Sequence, residues 1–319
     1  MYAMTLDPDL NFKWQELPEP VRKADEVLIQ VHAASINRAD IMQKDGCYAS
    51  PPEWPQWCGL EVAGIVLEAP GVCHVKPGDK VCALLGGGGY SEVVAVPAGM
   101  VVPAPAGLSM EEAASLPEVW ATVYLNLEKE AGGLKEGDVF YIQAAASGIG
   151  LAALQYAKLK GAKVIASVGS AEKAEFVRDL GADIVVNYKV DDVASVIAAN
   201  PPDVVLDCVG GAKMGENLKQ MAFKGRWIMI ASLAGGKTEI DLETIWRKRI
   251  KLIGSTLRSR TSEEKTSIMQ SLQNELWPLF TEGKLITHIH AVYPIARVEE
   301  AHAVLRRSEN IGKVILTLR

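Results

Sequence analysis

Val139-Phe140-Tyr141-Ile142-Gln143-Ala144-Ala145-Ala146-Ser147-Gly148-Ile149-Gly150 runs from a β-branched and aromatic segment into a turn of small residues, and an apolar segment of helical texture, 151–160, follows. A strand, a tight small-residue turn and a helix in that order suit a dinucleotide loop. Small residues let the backbone approach a pyrophosphate, and the helix N-terminus faces it with unpaired N–H groups. The strict Gly-x-Gly-x-x-Gly is absent: Ala145 and Ser147 stand at its first two glycines, and Gly150 matches the third. Alone, the stretch is a weak motif whose alternative is an ordinary small-residue strand-to-helix turn. Its place at the first turn of a βαβ series favours the cofactor reading.

That series extends downstream. Segments 163–166, 184–186, 204–207 and 227–230 are strand-like, and 171–180 reads as a helix between two of them. Such alternation predicts a parallel, doubly wound α/β sheet. Upstream the texture differs. Segments 27–33, 61–67, 81–85 and 90–96 are short apolar strands separated by turns such as Lys76-Pro77-Gly78-Asp79-Lys80 and the four glycines 86–89, which predicts a barrel-like β unit. Ser109-x-x-Glu112 is a capping-box signature opening a helical stretch through Leu127, and 313–318 is a closing strand. We expect a β domain of 1–118 with 259–319, the helical part 259–285 belonging to either domain, and a cofactor domain of 119–258.

The 319 residues suffice for two cores. A formal charge of −6 argues against a nucleic-acid or anionic-membrane partner, both of which reward a basic face. The start, Met1-Tyr2-Ala3-Met4-Thr5-Leu6-Asp7, has no basic or apolar leader texture, so no signal peptide is expected. No apolar run nears the ~20 residues that span a bilayer. The five cysteines are odd in number and form no Cys-x-x-Cys, so reduced, mostly buried thiols in a cytoplasmic protein are expected. The seven tryptophans read mainly as core.

An NAD site carries a carboxylate about 20 residues beyond its loop, at the end of the second strand. Here Ala166-Ser167-Val168-Gly169-Ser170 has none, whereas Gly169 and Ser170 lead to Lys173, and Tyr188 follows the next strand. Hydroxyls and an ammonium suit a 2′-phosphate, hence NADPH over NADH. The alternative for Lys173 is a solvated helix lysine flanked by Glu172 and Glu175.

Taken in order, Ser35-Ile36-Asn37-Arg38-Ala39-Asp40, Gly59-Leu60-Glu61-Val62-Ala63-Gly64, Pro77-Gly78-Asp79, Leu116-Pro117-Glu118, the 144–150 loop, Asp207-Cys208-Val209-Gly210-Gly211 and Gly312-Lys313-Val314 resemble the medium-chain dehydrogenase/reductases. Within them the chain resembles the zeta-crystallin-like quinone oxidoreductases. Ser147 and Leu257-Arg258-Ser259-Arg260 are similar to the tumour-suppressor-inducible subgroup. The resemblance implies a GroES-like β-barrel catalytic domain, a Rossmann domain, a homodimer and a site in the interdomain cleft. Zinc relatives carry Cys and His where Asn37 and Leu60 stand, and the four-cysteine lobe is missing, so no metal is expected. His288 and His290 alternate along a strand without making a closed metal site.

The same resemblance implies that Asn37, Asp40 and Tyr48 line the reacting centre, Asn37 as donor to a substrate oxygen and Tyr48 as stacking partner or donor. Asn37 and Asp40 read alternatively as a helix cap, and Tyr48 as a structural residue. Implied cofactor contacts are Asn37, Thr122, Ser147, Gly148, Ile149, Cys208, Val209, Ser232, Leu233, Leu257, Arg258 and Asn310, beside Gly169, Ser170, Lys173 and Tyr188. Thr122 reads alternatively as a core-facing helix residue and Arg258 as a solvated surface charge. The expected reaction is zinc- and flavin-free reduction of ortho- or para-quinones by NADPH, through hydride or single electrons. Alternatives are reduction of an enone or enal C=C bond, and a non-enzymatic NADPH-binding sensor or crystallin-like protein.

Overall fold

The short apolar segments of the N-terminal part form strands β1 (Tyr2–Leu6), β2 (Phe12–Glu16), β3 (Glu26–Ser35), β4 (Glu61–Glu68), β5 (Lys80–Leu84), β6 (Val93–Pro97) and β7 (Val101–Pro103) in the computed structural model, which describes residues 1–318. The middle of the chain adds β8 (Val139–Ile142), β9 (Lys163–Val168), β10 (Ile184–Asn187), β11 (Val204–Asp207), β12 (Arg226–Met229) and β13 (Lys251–Gly254). The end adds β14 (Ile289–Pro294) and β15 (Lys313–Thr317). The chain divides into two units: Met1–Ala121 with the segment from Leu257 onward, and Thr122–Thr256.

In the first unit β3 is the organising strand. It pairs antiparallel with β4 along one edge, and with β6 and β15 along the other. Its pairing with β4 shifts register between Leu28 and Ile29 and between Val31 and Ala33, and such bulges bend a strand enough to change partners along its length. The sheet runs β14-β15-β3-β4-β5-β7, with only the β14–β15 pair parallel; β1 and β2 form a separate hairpin. The capping box at Ser109 is present, Oγ accepting from Glu112 N–H at 3.2 Å while the Glu112 carboxylate accepts from Ser109 N–H at 2.8 Å. The helical stretch to Leu127 is not continuous, however. Helix Met110–Ala114 stops and a second, Pro117–Tyr124, starts on a proline that lacks the N–H needed to continue the first.

The second unit is a fully parallel sheet in the order β10-β9-β8-β11-β12-β13. Helices such as Gly148–Leu159 and Ala171–Asp179 connect its strands, giving the doubly wound arrangement. Tyr141, Ile165, Val205 and Trp227 pack with Met214, Leu218, Met221 and Ile250 in a core on this sheet. Strand order reverses beside β8, so the loop after β8 opens at the switch point where α/β sheets bind ligands.

Three expectations are corrected. Trp246 and Trp14 are exposed rather than core, Trp14 stacking on Tyr2 instead. Only Cys58 and Cys82 of the five free thiols are buried, and Cys47 is exposed. Tyr90 precedes β6 rather than starting it; its fully buried hydroxyl meets His302 Nε2 at 3.1 Å.

Candidate active site

The carboxyl ends of the parallel strands collect most of the expected cofactor residues. After β8, Ala144 turns the chain in a left-handed conformation (φ 50°), a strained geometry for a residue with a Cβ. Ser147 is the N-cap of helix Gly148–Leu159, its Oγ accepting from Gly150 N–H at 3.1 Å. A Cβ on Gly150 would lie 2.4 Å from the Ala144 and Ala145 carbonyl oxygens, so only glycine lets the helix start this close to the strand. Ser147 thus replaces a glycine by becoming the cap, and Gly148 and Ile149 lie in the first helical turn, whose N–H groups have no partner within the helix.

After β9, Gly169 leads to Ser170, the N-cap of helix Ala171–Asp179, which accepts from Lys173 N–H at 3.3 Å. Tyr188, after β10, folds its half-exposed ring over Gly169; a Cβ there would stand 2.4 Å from the phenol oxygen. Gly169, Ser170, Lys173 and Tyr188 are therefore gathered on one corner. After β11, Asp207 accepts Val209 N–H at 2.7 Å and Gly210 N–H at 2.9 Å, while its other oxygen takes the Trp227 indole N–H at 3.0 Å. Gly210 and Gly211 both have positive φ, which side chains disfavour. This pinned loop pairs with the one after β12: Leu233 N–H donates to Cys208 O at 3.2 Å and Ala234 N–H to Val209 O at 2.8 Å. Cys208, Val209, Ser232 and Leu233 thus share one ledge. Thr122, in helix Pro117–Tyr124, is buried, and its carbonyl accepts from Asn126 Nδ2 at 2.7 Å.

In the first unit a polar network surrounds the other expected residues. Asn37 caps helix Arg38–Lys44. Asp40, fully buried, accepts Asn37 N–H at 2.8 Å and Gly59 N–H at 2.7 Å, and burial lifts its carboxyl to about 6 against these bonds. Each Asp40 oxygen thus accepts a backbone N–H, and the bond from Asn37 closes the helix cap. The Asn37 amide donates to Glu61 Oε1 at 2.8 Å, and its oxygen accepts from Lys313 Nζ at 2.7 Å. Lys313 also donates to Glu61 Oε1 at 2.8 Å and to Ile36 O at 3.1 Å, which occupies all three of its N–H bonds. One N–H of the Asn37 amide stays without a partner among the described residues.

Arg258 is buried, not a solvated charge. It donates to Gly86 O at 3.0 Å, Tyr48 O at 2.9 Å, Gln43 Oε1 at 2.6 Å and Ser50 Oγ at 2.9 Å, and its guanidinium lies 4.9 Å from the Tyr48 ring centroid. These bonds take four of the five guanidinium N–H groups and brace Tyr48 through its carbonyl and ring. Burial raises the Tyr48 phenol above its ordinary value, so it is a hydrogen-bond donor at neutral pH. Leu257 is buried beside Arg258 in sequence. Asn310 stands apart, closing its own turn by donating to Gly312 O at 2.7 Å.

Glu61 and Lys313, and Lys265, which is buried and donates to Arg258 O at 2.9 Å, are members that the sequence reading did not single out as site residues. Their signal was present: Glu61 and Lys313 are opposite charges inside otherwise apolar strands, and buried charges need partners. Zinc does not fit the network. The Asn37 oxygen is taken by an ammonium, Leu60 is buried and apolar, and among the described residues no three His, Cys, Asp or Glu side chains converge as a metal site would require. His288 and His290 flank Ile289 of β14, and His290 Nδ1 accepts from Ile311 N–H at 3.4 Å.

Residues 23–106 match the family profile of the alcohol dehydrogenase GroES-like domain, and 148–274 that of the zinc-binding dehydrogenases. A quinone oxidoreductase of Sus scrofa is 31% identical over 98% of this chain and 94% of its own. The structure of Escherichia coli quinone oxidoreductase complexed with NADPH superposes with a TM-score of 0.86 at 28% identity, covering 99% of this chain and 98% of that one. The CurK enoyl reductase gives 0.86 at 26% identity, over 99% and 98%. The parallel sheet with its glycine-poor loop, the GroES-like strands and these full-length similarities agree: the chain belongs to the quinone oxidoreductases of the medium-chain dehydrogenase/reductase superfamily.

Proposed function

We propose that the protein is an NADPH-dependent, zinc- and flavin-free oxidoreductase acting on ortho- and para-quinones. The observation that carries this reading is Lys313: a buried ammonium is bonded to Glu61 and to the oxygen of Asn37, the residue that stands where zinc relatives carry a cysteine. With no Lewis acid to polarise an ordinary ketone, the acceptor must bring its own electrophilicity, and a quinone does. Bound NADPH supplies the reducing equivalents. The protein's part is orientation: Ser147 and the Gly148 helix N-terminus toward the pyrophosphate, and Ser170, Lys173 and Tyr188 toward the 2′-phosphate. Tyr48, braced by Arg258, offers a ring face and a phenol O–H to a flat acceptor, and Asn37 a spare amide N–H.

A second reading, reduction of an enone, draws on the similarity to CurK and uses the same orientation. Side-by-side turnover of 1,2-naphthoquinone and a simple enone with NADPH separates the two. The proposal expects the quinone to be faster; an enone faster by orders of magnitude reverses the order, and indifference to both removes the enzymatic reading.

We further place this activity in a cytoplasmic homodimer formed on β13. That edge strand is exposed, and Trp246, Leu242 and Leu252 near it are exposed as well, a combination that favours pairing about a two-fold axis. No helix among the described residues is long and apolar enough to cross a membrane.

A further inference from the structure

We propose that Lys313 and Glu61 are positioning residues for the reaction: they hold the Asn37 carboxamide in one of its two orientations, so that the reacting oxygen of a bound acceptor meets an N–H and never a lone pair. This rests on the reductase reading above. An asparagine side chain that turns over about its last bond exchanges oxygen for nitrogen with almost no change of shape, so its partners decide which way it faces. At Asn37 the partners are opposite charges. Lys313 Nζ, which only donates, meets the amide oxygen at 2.7 Å, and the Glu61 carboxylate accepts an amide N–H at Oε1 at 2.8 Å.

The two charges also bond to each other at 2.8 Å, which closes a ring of three side chains. Both are tied to main chain as well. Lys313 donates its third N–H to Ile36 O at 3.1 Å, and Glu61 Oε2 accepts Glu118 N–H at 2.8 Å at the start of helix Pro117–Tyr124. The clamp is therefore set before any acceptor arrives. Turning the amide over would put its N–H groups against the ammonium and its oxygen against the carboxylate, replacing two charge-assisted bonds by two repulsions. The Glu61 side chain is fully buried and that of Lys313 nearly so, and ions in solution screen such contacts little.

One Asn37 N–H remains, and in a residue only 8% exposed it has no acceptor among the described residues. A nearly enclosed donor without a partner calls for an oxygen supplied by a ligand. The locked orientation sets the chemistry of that atom. A carbonyl oxygen fits, and the negative charge that grows on it as the acceptor is reduced fits better. The ammonium on the amide oxygen polarises the carboxamide and strengthens the remaining N–H as a donor. In the inverted amide the same place would present a lone pair and oppose that charge.

The test is a mutant cycle on kcat/KM with NADPH and either an enone or 1,2-naphthoquinone, run beside chemical denaturation. In the double variant Lys313→Met with Glu61→Gln, the new glutamine keeps its oxygen on Glu118 N–H and turns its NH2 group to Asn37, which favours the inverted amide. Its kcat/KM should fall about 100-fold with the enone and about tenfold with the quinone, whose reduced oxygen needs less help. NADPH affinity should not change, and stability should exceed that of Lys313→Met. Asn37→Ala should lose about as much activity, and adding the double change to it should cost nothing further, because the pair acts through Asn37. Lys313→Arg, which keeps charge and donors, should stay within about threefold of wild type. A merely structural role would restore activity in step with stability, or add its full loss to that of Asn37→Ala, and either result overturns the proposal. If wild type is active and Asn37→Ala matches it, the proposal falls and the reductase reading stands; if wild type reduces neither acceptor, both fall. Should the double variant not fold, Glu61→Gln alone, compared with and without Asn37→Ala, decides by the same rule.

Discussion

Lys313 is the residue on which the first unit's polar network turns. Its side chain is 7% exposed and that of Glu61 fully buried, so each charge depends on the other. Removing one partner of such a pair leaves a charge stranded in a low dielectric, which typically costs about 3–5 kcal/mol. Lys313→Met should therefore lower stability by about that amount in chemical denaturation, and the double variant with Glu61→Gln should recover part of it. Additive losses in the cycle would mean that the two side chains act independently. The pair was half-legible in the sequence. Each charge stood out within an apolar strand, but β4 and β15 are not neighbours in their sheet, and only the fold brings Glu61 to Lys313. Asp40 and Arg258 meet the same limit. Their motifs marked them as important, yet nothing local tells that Asp40 is consumed by two backbone N–H groups or Arg258 by four acceptors.

At the scale of elements, the parallel strands of the second unit were readable because β-branched runs alternate with small-residue turns, and the loops after them follow from that order. β13 escaped notice because Lys251–Gly254 is four residues, with a charge at one end and a glycine at the other. β1 and β2 were missed because their hairpin carries little apolar alternation, β2 being largely exposed. The corner after β9 carries the cofactor prediction. It combines an N-cap hydroxyl, the first-turn Lys173 and Tyr188 over a glycine, with no carboxylate at the end of the strand. Lys173→Ala should weaken NADPH binding by about tenfold, the worth of one charge-assisted contact, and leave NADH nearly unchanged. Equal losses for both nucleotides in a fluorescence titration would remove the 2′-phosphate from this corner.

For the whole molecule, the exposed edge of the parallel sheet sets the expectation for assembly. β13 offers unpaired backbone groups, and Leu252 (44% exposed) and Trp246 (64% exposed) lie on or just before it in sequence. Leu252→Lys should shift the protein from dimer to monomer in light scattering, without loss of the fold by circular dichroism, because a charge on an edge opposes strand pairing. An unchanged mass would place the contact elsewhere, and a monomeric wild type would remove it.

In the proposed reaction an ammonium, not a metal, organises the reacting centre, and acceptor reactivity replaces Lewis acidity. Single-turnover oxidation of NADPH by 1,2-naphthoquinone, followed by stopped flow on protein stripped with a strong chelator and then supplied with zinc, tests this most directly. The rate should be the same before stripping, after it and after zinc is returned. A rate that vanishes on stripping and comes back with zinc would contradict the account.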